Sequence, residues 1–267
     1  FGLLSIYENI HKSSNIKVLL NGDGADEIFS GYLEQSYSFI LWKLKSFQLL
    51  SFVSEFISLK NRLGIGVISL TKRLLNTFLH KSNIVRYFKW NKHNVFKVKN
   101  TLYRKKFSNN YFRNELHFTL QFSALNEYLL YTDKTSMNYS LEARVPFLDH
   151  NLVQAAYGLH EDQLIQNGTT KLFLKNMIRG SVPDDVIDRK DKKGFYVPLE
   201  RWIRGDLREK MTIEFLQIKK EGLFSFLDKD AIYQSFDDYL NHKHNDHSFI
   251  WRIYCLKRWK ESFNVSE

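Results

Sequence analysis

A chain of 267 residues with 43% hydrophobic and 25% charged residues has enough apolar material for a sizeable core, which argues against disorder. Lys+Arg number 39 against Asp+Glu 29, a formal charge of +10, but the basic residues are scattered, as at Lys43, Lys45, Lys60, Arg62 and Lys72, and form no dense tail. That pattern argues against nucleic acid as partner and leaves room for phosphate ligands. A single cysteine, Cys255, excludes an internal disulfide framework, and no run reaches the about 18 apolar residues a membrane-spanning helix needs.

Leu3 to Ile10 carries apolar residues at helical spacing. Ile16 to Leu20 is a short branched apolar run, the mark of a buried strand, and it ends in the loop Asn21-Gly22-Asp23-Gly24. Ala25 to Phe29 restarts as a helix. The first thirty residues thus read helix, strand, glycine loop, helix. Glycines that let the backbone approach a ligand, followed by the free N–H groups of a helix start, favour an anion. Yet the loop also carries Asp23, Asp26 and Glu27. Mg²⁺ between carboxylates and phosphate would reconcile the two. The competing reading is that these acids only cap the helix or form a turn. An EF-hand loop fits badly, since Ala25 falls at a ligand position and Asp26 where the glycine belongs.

After Tyr32 the strand signal fades. Residues 33–60, 65–80, 111–131, 149–157, 170–179, 206–220, 229–241 and 247–263 read as helices, helped by only 12 glycines and 3 prolines. Lys81 to Asn110 is polar and aromatic without period. Asp133 to Asp149 reads as a short helix, a turn at Pro146 and a new helix capped by Asp149, with Glu142 and Arg144 as an ion pair or solvated charges. Arg189-Lys-Asp-Lys-Lys-Gly194-Phe195 reads as a solvated basic loop, and Cys255 sits in an aromatic helical run that looks like core. Three Asn-x-Ser/Thr matches, at Asn138, Asn167 and Asn264, carry no weight without a signal peptide. No linker divides the chain, so it reads as one domain over 1–267. The lone strand needs a partner, either missing upstream or among strands too short to see.

Asn21 to Tyr32 resembles the Ser-Gly-Glu/Asp-Gly-Ala/Ser-Asp-Glu-Leu-Phe-Gly-Gly-Tyr segment of asparagine synthases, with Asn21 in place of Ser and Ser30 in place of Gly. The second departure matters if that position needs a positive φ. Asp133 to Asp149 resembles that family's Asp-Arg/Lys-x-Ser-Met-x-x-x-Leu-Glu-x-Arg-x-Pro-Phe-Leu-Asp. Lys171-x-x-Leu174-Lys175, followed by Val182-Pro183 and Arg189 to Trp202, resembles its Lys…Leu-Arg…Leu-Pro…Arg-x-Lys-x-Gly-Phe…Pro…Trp. The three segments keep the family order, while 33–120 and 206–267 match only loosely.

The resemblance implies an α/β chain, the mostly helical part of an adenine-nucleotide α-hydrolase-like (ATP pyrophosphatase) domain with a small remnant parallel sheet. It implies ATP and Mg²⁺, with Asn21, Gly22 and Gly24 against the nucleotide and Asp23 and Asp26 on Mg²⁺–pyrophosphate. Tyr32 and Asp133 would position the intermediate, with Glu142 and Arg144 in the cleft floor and Glu127 a weaker acidic candidate. Lys192, with Lys193 as the alternative, would steady charge during acyl transfer. The reaction implied is aspartate plus ammonia from glutamine giving asparagine, AMP and pyrophosphate, in the cytoplasm. The glutaminase domain would lie upstream or on a separate polypeptide, and a homodimer is compatible. The family's Ser-Gly-Gly-x-Asp-Ser pyrophosphate loop and its amino-terminal cysteine are not in these residues, and Phe1 comes first. The chain therefore reads as the later part of a synthetase domain. Related amidotransferases, cyclising synthetases and an inactive or split subunit stay open.

Overall fold

The computed structural model describes residues 2–80, 108–189 and 197–266. The chain divides into two compact units. One holds residues 2–80 and 108–189, the other 197–266.

In the first unit, α1 (Gly2–Ser13) leads into β1 (Val18–Leu20). The partner of β1 is β2 (Glu142–Arg144), in parallel, with Val18 opposite Glu142, Leu19 opposite Ala143 and Leu20 opposite Arg144. The result is a mostly helical α/β unit with a small two-stranded parallel sheet. The sequence gives no sign of β2, because Glu-Ala-Arg has neither branched nor alternating apolar residues. The strand expected to be buried is half open, with Leu20 76% exposed. The pleat puts Leu19 and Ala143 on one face, where α7 (Leu125–Met137) packs on β2 and on α1. Val18 and Leu20 share the other face with Glu142 and Arg144.

Between the strands the chain forms α2 (Ala25–Ile28), α3 (Leu33–Lys45), α4 (Leu49–Leu63), α5 (Val67–His80) and α6 (Tyr111–Phe122). The core is built round α3, whose residues Gln35 to Ile40 are all buried. Phe39 meets Phe112 of α6 edge to face, centroids 5.5 Å apart, within a cluster holding Ile28, Phe29 and Leu116. Tyr37 and Ile40 face Leu59, Leu70 and Leu74 of α4 and α5. Two of the polar groups caught in this core are paired: Gln35 Nε2 donates to Thr119 Oγ1 at 3.0 Å, and the buried Lys43 ammonium sits 2.6 Å from Asp162.

Two expected helices are broken. The stretch 33–60 divides at Ser46–Gln48, where Phe47 takes φ 59° and the Ser46 hydroxyl bonds back to the Trp42 carbonyl. The stretch 111–131 divides at Ser123, whose hydroxyl bonds back to the Thr119 carbonyl. Neither break has a Gly or Pro signal; local serine–backbone bonds compete with the helix instead. After β2, a 3₁₀ turn (Pro146–Leu148) precedes α8 (His150–Gly158), and the Asp149 carboxylate caps α8 as read. Then follow α9 (Glu161–Leu164), α10 (Leu172–Ile178) and α11 (Asp184–Ile187).

The second unit is helical: α12 (Leu199–Arg204), α13 (Arg208–Glu221), α14 (Lys229–Leu240) and α15 (His247–Ser262). Asp228 and Asp246 cap the last two. Their core stacks Phe215 on Phe236, centroids 4.1 Å apart, beside Ile203, Ile232, Tyr239 and Ile250. Cys255 is exposed on α15 rather than in the core, because Ile250, Ile253 and Lys257 form the inward stripe. Phe215→Ala should destabilise this unit by about 3–5 kcal/mol through the cavity it leaves, read as a lowered midpoint in denaturant unfolding.

Candidate functional site

Both strands end at the same side of the sheet, so the segments following them meet. The Asn21 amide donates to the Arg144 carbonyl at 2.8 Å, which extends the pairing into the loop. Gly24 lies directly beneath Leu148, with φ 95°. A Cβ at Gly24 would overlap Leu148 Cγ and Cδ2, and φ there is in the region only glycine enters freely. Glycine is thus required at 24 by both space and backbone. Gly22 faces open space, which leaves the loop backbone accessible to a ligand.

The loop's three acids have different surroundings. Asp23 is half-buried and clasped twice by Asn21, whose Nδ2 donates to Asp23 Oδ2 while its Oδ1 accepts the Asp23 amide, both at 2.9 Å. A serine has one polar atom where Asn21 uses two, so Asn21 gives a firmer hold. Thr132 of α7 is buried and donates its hydroxyl to Asp23 Oδ2 at 3.4 Å. Burial and the nearby Asp23 raise the Tyr7 hydroxyl above its ordinary value. Asp26 is also half-buried, and Lys171 Nζ lies 2.7 Å from its Oδ1. Glu27 is buried, and the Tyr32 hydroxyl donates to its Oε1 at 2.6 Å. Burial lifts the Glu27 carboxyl above the usual range, and the Asp26 and Asp23 charges add to it. Burial, then the bond to Glu27, raises Tyr32 strongly.

Neither Asp23 nor Asp26 caps α2, whose N-cap is Gly24. That helix is 4 residues long, so it supplies a turn of N–H groups but little macrodipole. Two accessible carboxylates are what Mg²⁺ takes from protein when a polyphosphate supplies its other oxygens. Asp23 and Asp26 fit that role, with Lys171 already balancing Asp26. No group of three or more His, Cys, Asp or Glu side chains able to hold a metal occurs among the described residues.

The other expected residues are placed as follows. Glu142 and Arg144 form an exposed ion pair at 2.7 Å on β2, which lowers Glu142 and raises Arg144. Asp133 is exposed on α7, and it is its neighbour Thr132 whose side chain meets Asp23. Glu127 is exposed. Lys192 and Lys193 lie outside the described residues. Sequence reasoning missed Thr132, Glu27, Lys171 and Gly31 as site residues. Lys171 was visible as the first residue of the third segment. Gly31 matters because a Cβ there would overlap Asp26 Oδ1 and Lys171 Cε, so the ion pair exists only over a glycine.

Ser30 answers the question its departure raised. It sits at φ 65°, fully buried, and its hydroxyl has no hydrogen-bond partner among the described residues. A left-handed serine and an orphaned hydroxyl both cost stability. Ser30→Gly should raise the unfolding free energy by about 1 kcal/mol in a denaturant titration; an unchanged or lower value would show no strain there. Glu27 yields a pH prediction. Its folded-state pKa is raised, so the folded state holds its proton more tightly. Stability should fall as pH rises from the ordinary glutamate range through the raised value. In Glu27→Gln, a pH series of unfolding titrations should show that fall flattened.

No solved structure matches the chain. An asparagine synthetase (glutamine-hydrolysing) of Bacillus subtilis is 32% identical over 139 residues, 52% of this chain and 21% of that protein. A putative asparagine synthetase of Mycobacterium bovis is 29% identical over 135 residues, 51% of this chain and 20% of its own length. The chain thus spans about a fifth of the curated relatives it matches. The asparagine synthase family model matches residues 2–261, which takes in all three segments and both units. By that match this chain belongs to the asparagine synthase family.

Proposed function

We propose that the chain is part of an ATP-dependent amide ligase that makes asparagine. The observation carrying this reading is the acidic glycine loop at the carboxyl ends of two parallel strands, the place where open α/β sheets bind ligands. It presents Asp23 and Asp26 as hard oxygen donors while Glu27 is withdrawn into the core. The fold would be the helical part of an adenine-nucleotide α-hydrolase-like domain, one domain over 1–267.

In the proposed reaction the side-chain carboxylate of aspartate attacks the α-phosphorus of ATP and pyrophosphate leaves. Ammonia then attacks the acyl carbon, and AMP leaves with the bonding electrons. Asp23 and Asp26 would hold Mg²⁺, which neutralises the leaving pyrophosphate when bound. Asn21 and Thr132 hold the Asp23 carboxylate by hydrogen bonds, the exposed Gly22 would admit the nucleotide to the backbone, and Gly24, packed under Leu148, would set the shape of the loop. Tyr32, with its hydroxyl fixed on Glu27, stands beside the acids as a positioning group. Lys192 would stabilise the charge that builds on the acyl oxygen and phosphate. Asp133, Glu142 and Arg144 would shape the cleft. Ammonia would come from a glutaminase domain on the same or a separate polypeptide.

The test is Mg²⁺-dependent ATP–pyrophosphate exchange with aspartate, on this chain and on a version extended upstream to the length of its relatives. Exchange in the extended version, cut by about 100-fold or more in Asp26→Ala, is the expected outcome. Exchange supported by another carboxylate and not by aspartate would keep the ligase chemistry and replace the substrate. No exchange with any carboxylate would overturn the enzyme reading.

A further inference from the structure

We propose that Glu55 and Arg62, both on α4, are positioning residues for the nucleotide site: they fix the Asn167–Gly168 turn so that Lys171 delivers its ammonium to Asp26. The inference rests on reading Asp26 as part of that site. Neither residue lies in a segment that carries the family resemblance.

Glu55 is a buried carboxylate on an otherwise amphipathic helix, which calls for a reason. Its oxygens each accept one backbone N–H of the turn, Oε1 from Asn167 at 2.7 Å and Oε2 from Gly168 at 3.0 Å. Such bonds to a charged acceptor are among the stronger ones. Arg62, two helical turns on, closes the other side. Its guanidinium donates to the Gly168 carbonyl at 2.5 Å and to Thr170 Oγ1 at 3.4 Å. The turn also lies flat on the helix, since a Cβ at Gly168 would come within 3.0 Å of the Ser58 carbonyl carbon. Asn167 at φ 51° and Gly168 at φ 70° are both left-handed, and Gln166 and Thr169 exchange backbone hydrogen bonds at 3.1 and 2.8 Å, the pattern of a tight hairpin turn.

The chain leaves this clamp at the buried Thr170 and at once enters Lys171, also left-handed at φ 55°. A lysine in that conformation is held there by its surroundings. Its Nζ reaches Asp26 over Gly31, which has no side chain to block it. Two residues, Thr169 and Thr170, separate the clamped Asn167–Gly168 turn from the lysine, so a shift of the turn is passed to the Lys171–Asp26 pair. A turn that served stability alone would have no need to end on a strained lysine pointed at the acidic loop.

The test is site-resolved amine labelling of the chain with limiting acetic anhydride, quantified by peptide mass spectrometry. Asp26→Asn sets the value for a fully released Lys171, expected to be about threefold above the unsubstituted chain for a half-exposed ion pair. Glu55→Ala and Arg62→Ala should approach that value. Glu55→Gln, which keeps one acceptor oxygen, should fall between. Lys43, buried on α3 against Asp162, is the internal control and should not change. Lys171 labelling that stays at the unsubstituted level in Glu55→Ala, or a parallel rise at Lys43, would overturn the proposal, the second by showing general loosening of the unit. Labelling needs no substrate, so its outcome is separate from that of the exchange assay.

Discussion

Two strands of three residues each, paired in parallel, set the position of everything at the candidate site. Their hydrogen bonds join residues more than a hundred positions apart and bring the Asn21–Gly24 loop beside the segment that follows Arg144. Leu148 then packs on Gly24, and Thr132, one turn before the end of α7, comes within reach of Asp23. Such a pairing is too short to stand alone. It is held because α7 covers one face and because the backbone bond from Asn21 to Arg144 adds a further rung.

Given that placement, burial sorts the acids. Asp23 and Asp26 are half-exposed, Asp23 held by donors from Asn21 and Thr132 and Asp26 by the Lys171 ammonium. Glu27, one residue on, points into the core and is held neutral more readily. Two of the three neighbouring carboxylates are thus left partly open to solvent, and the third is an inward partner for Tyr32. The glycines make this possible sterically: Gly24 under Leu148 and Gly31 under the Lys171–Asp26 pair. Ser30 lies between them in a conformation that glycine would adopt at lower cost, so the loop carries local strain close to Asp26 and Glu27.

What the sequence disclosed follows from which forces are local. The strand-loop-helix start, the cap at Asp149 and most long helices rest on periodicity and side-chain chemistry within a few residues, and they appear where expected. Cys255 and the split at Phe47 were misread because aromatic richness and scarce breakers imitate a continuous buried helix. β2 was invisible because its strand character comes wholly from its partner. The role of Lys171 was invisible for a similar reason: Asn167-Gly168 is an ordinary turn signal, but that it docks on Glu55 and Arg62 is a contact across more than a hundred residues. The resemblance to asparagine synthases singled out Asp23, Asp26 and Tyr32; only geometry separated Thr132 from Asp133 as the group touching Asp23.

The central claim is that carboxylate activation by ATP occurs through an acyl-adenylate at the Asp23–Asp26 loop. The most direct measurement is isotope transfer: aspartate labelled with ¹⁸O in its side-chain carboxylate, ATP, Mg²⁺ and ammonia, with the version extended to the relatives' length. One ¹⁸O in the AMP phosphate for each asparagine formed is the predicted result. Label in inorganic phosphate, with ADP as the other product, would mean an acyl-phosphate route and would contradict the claim.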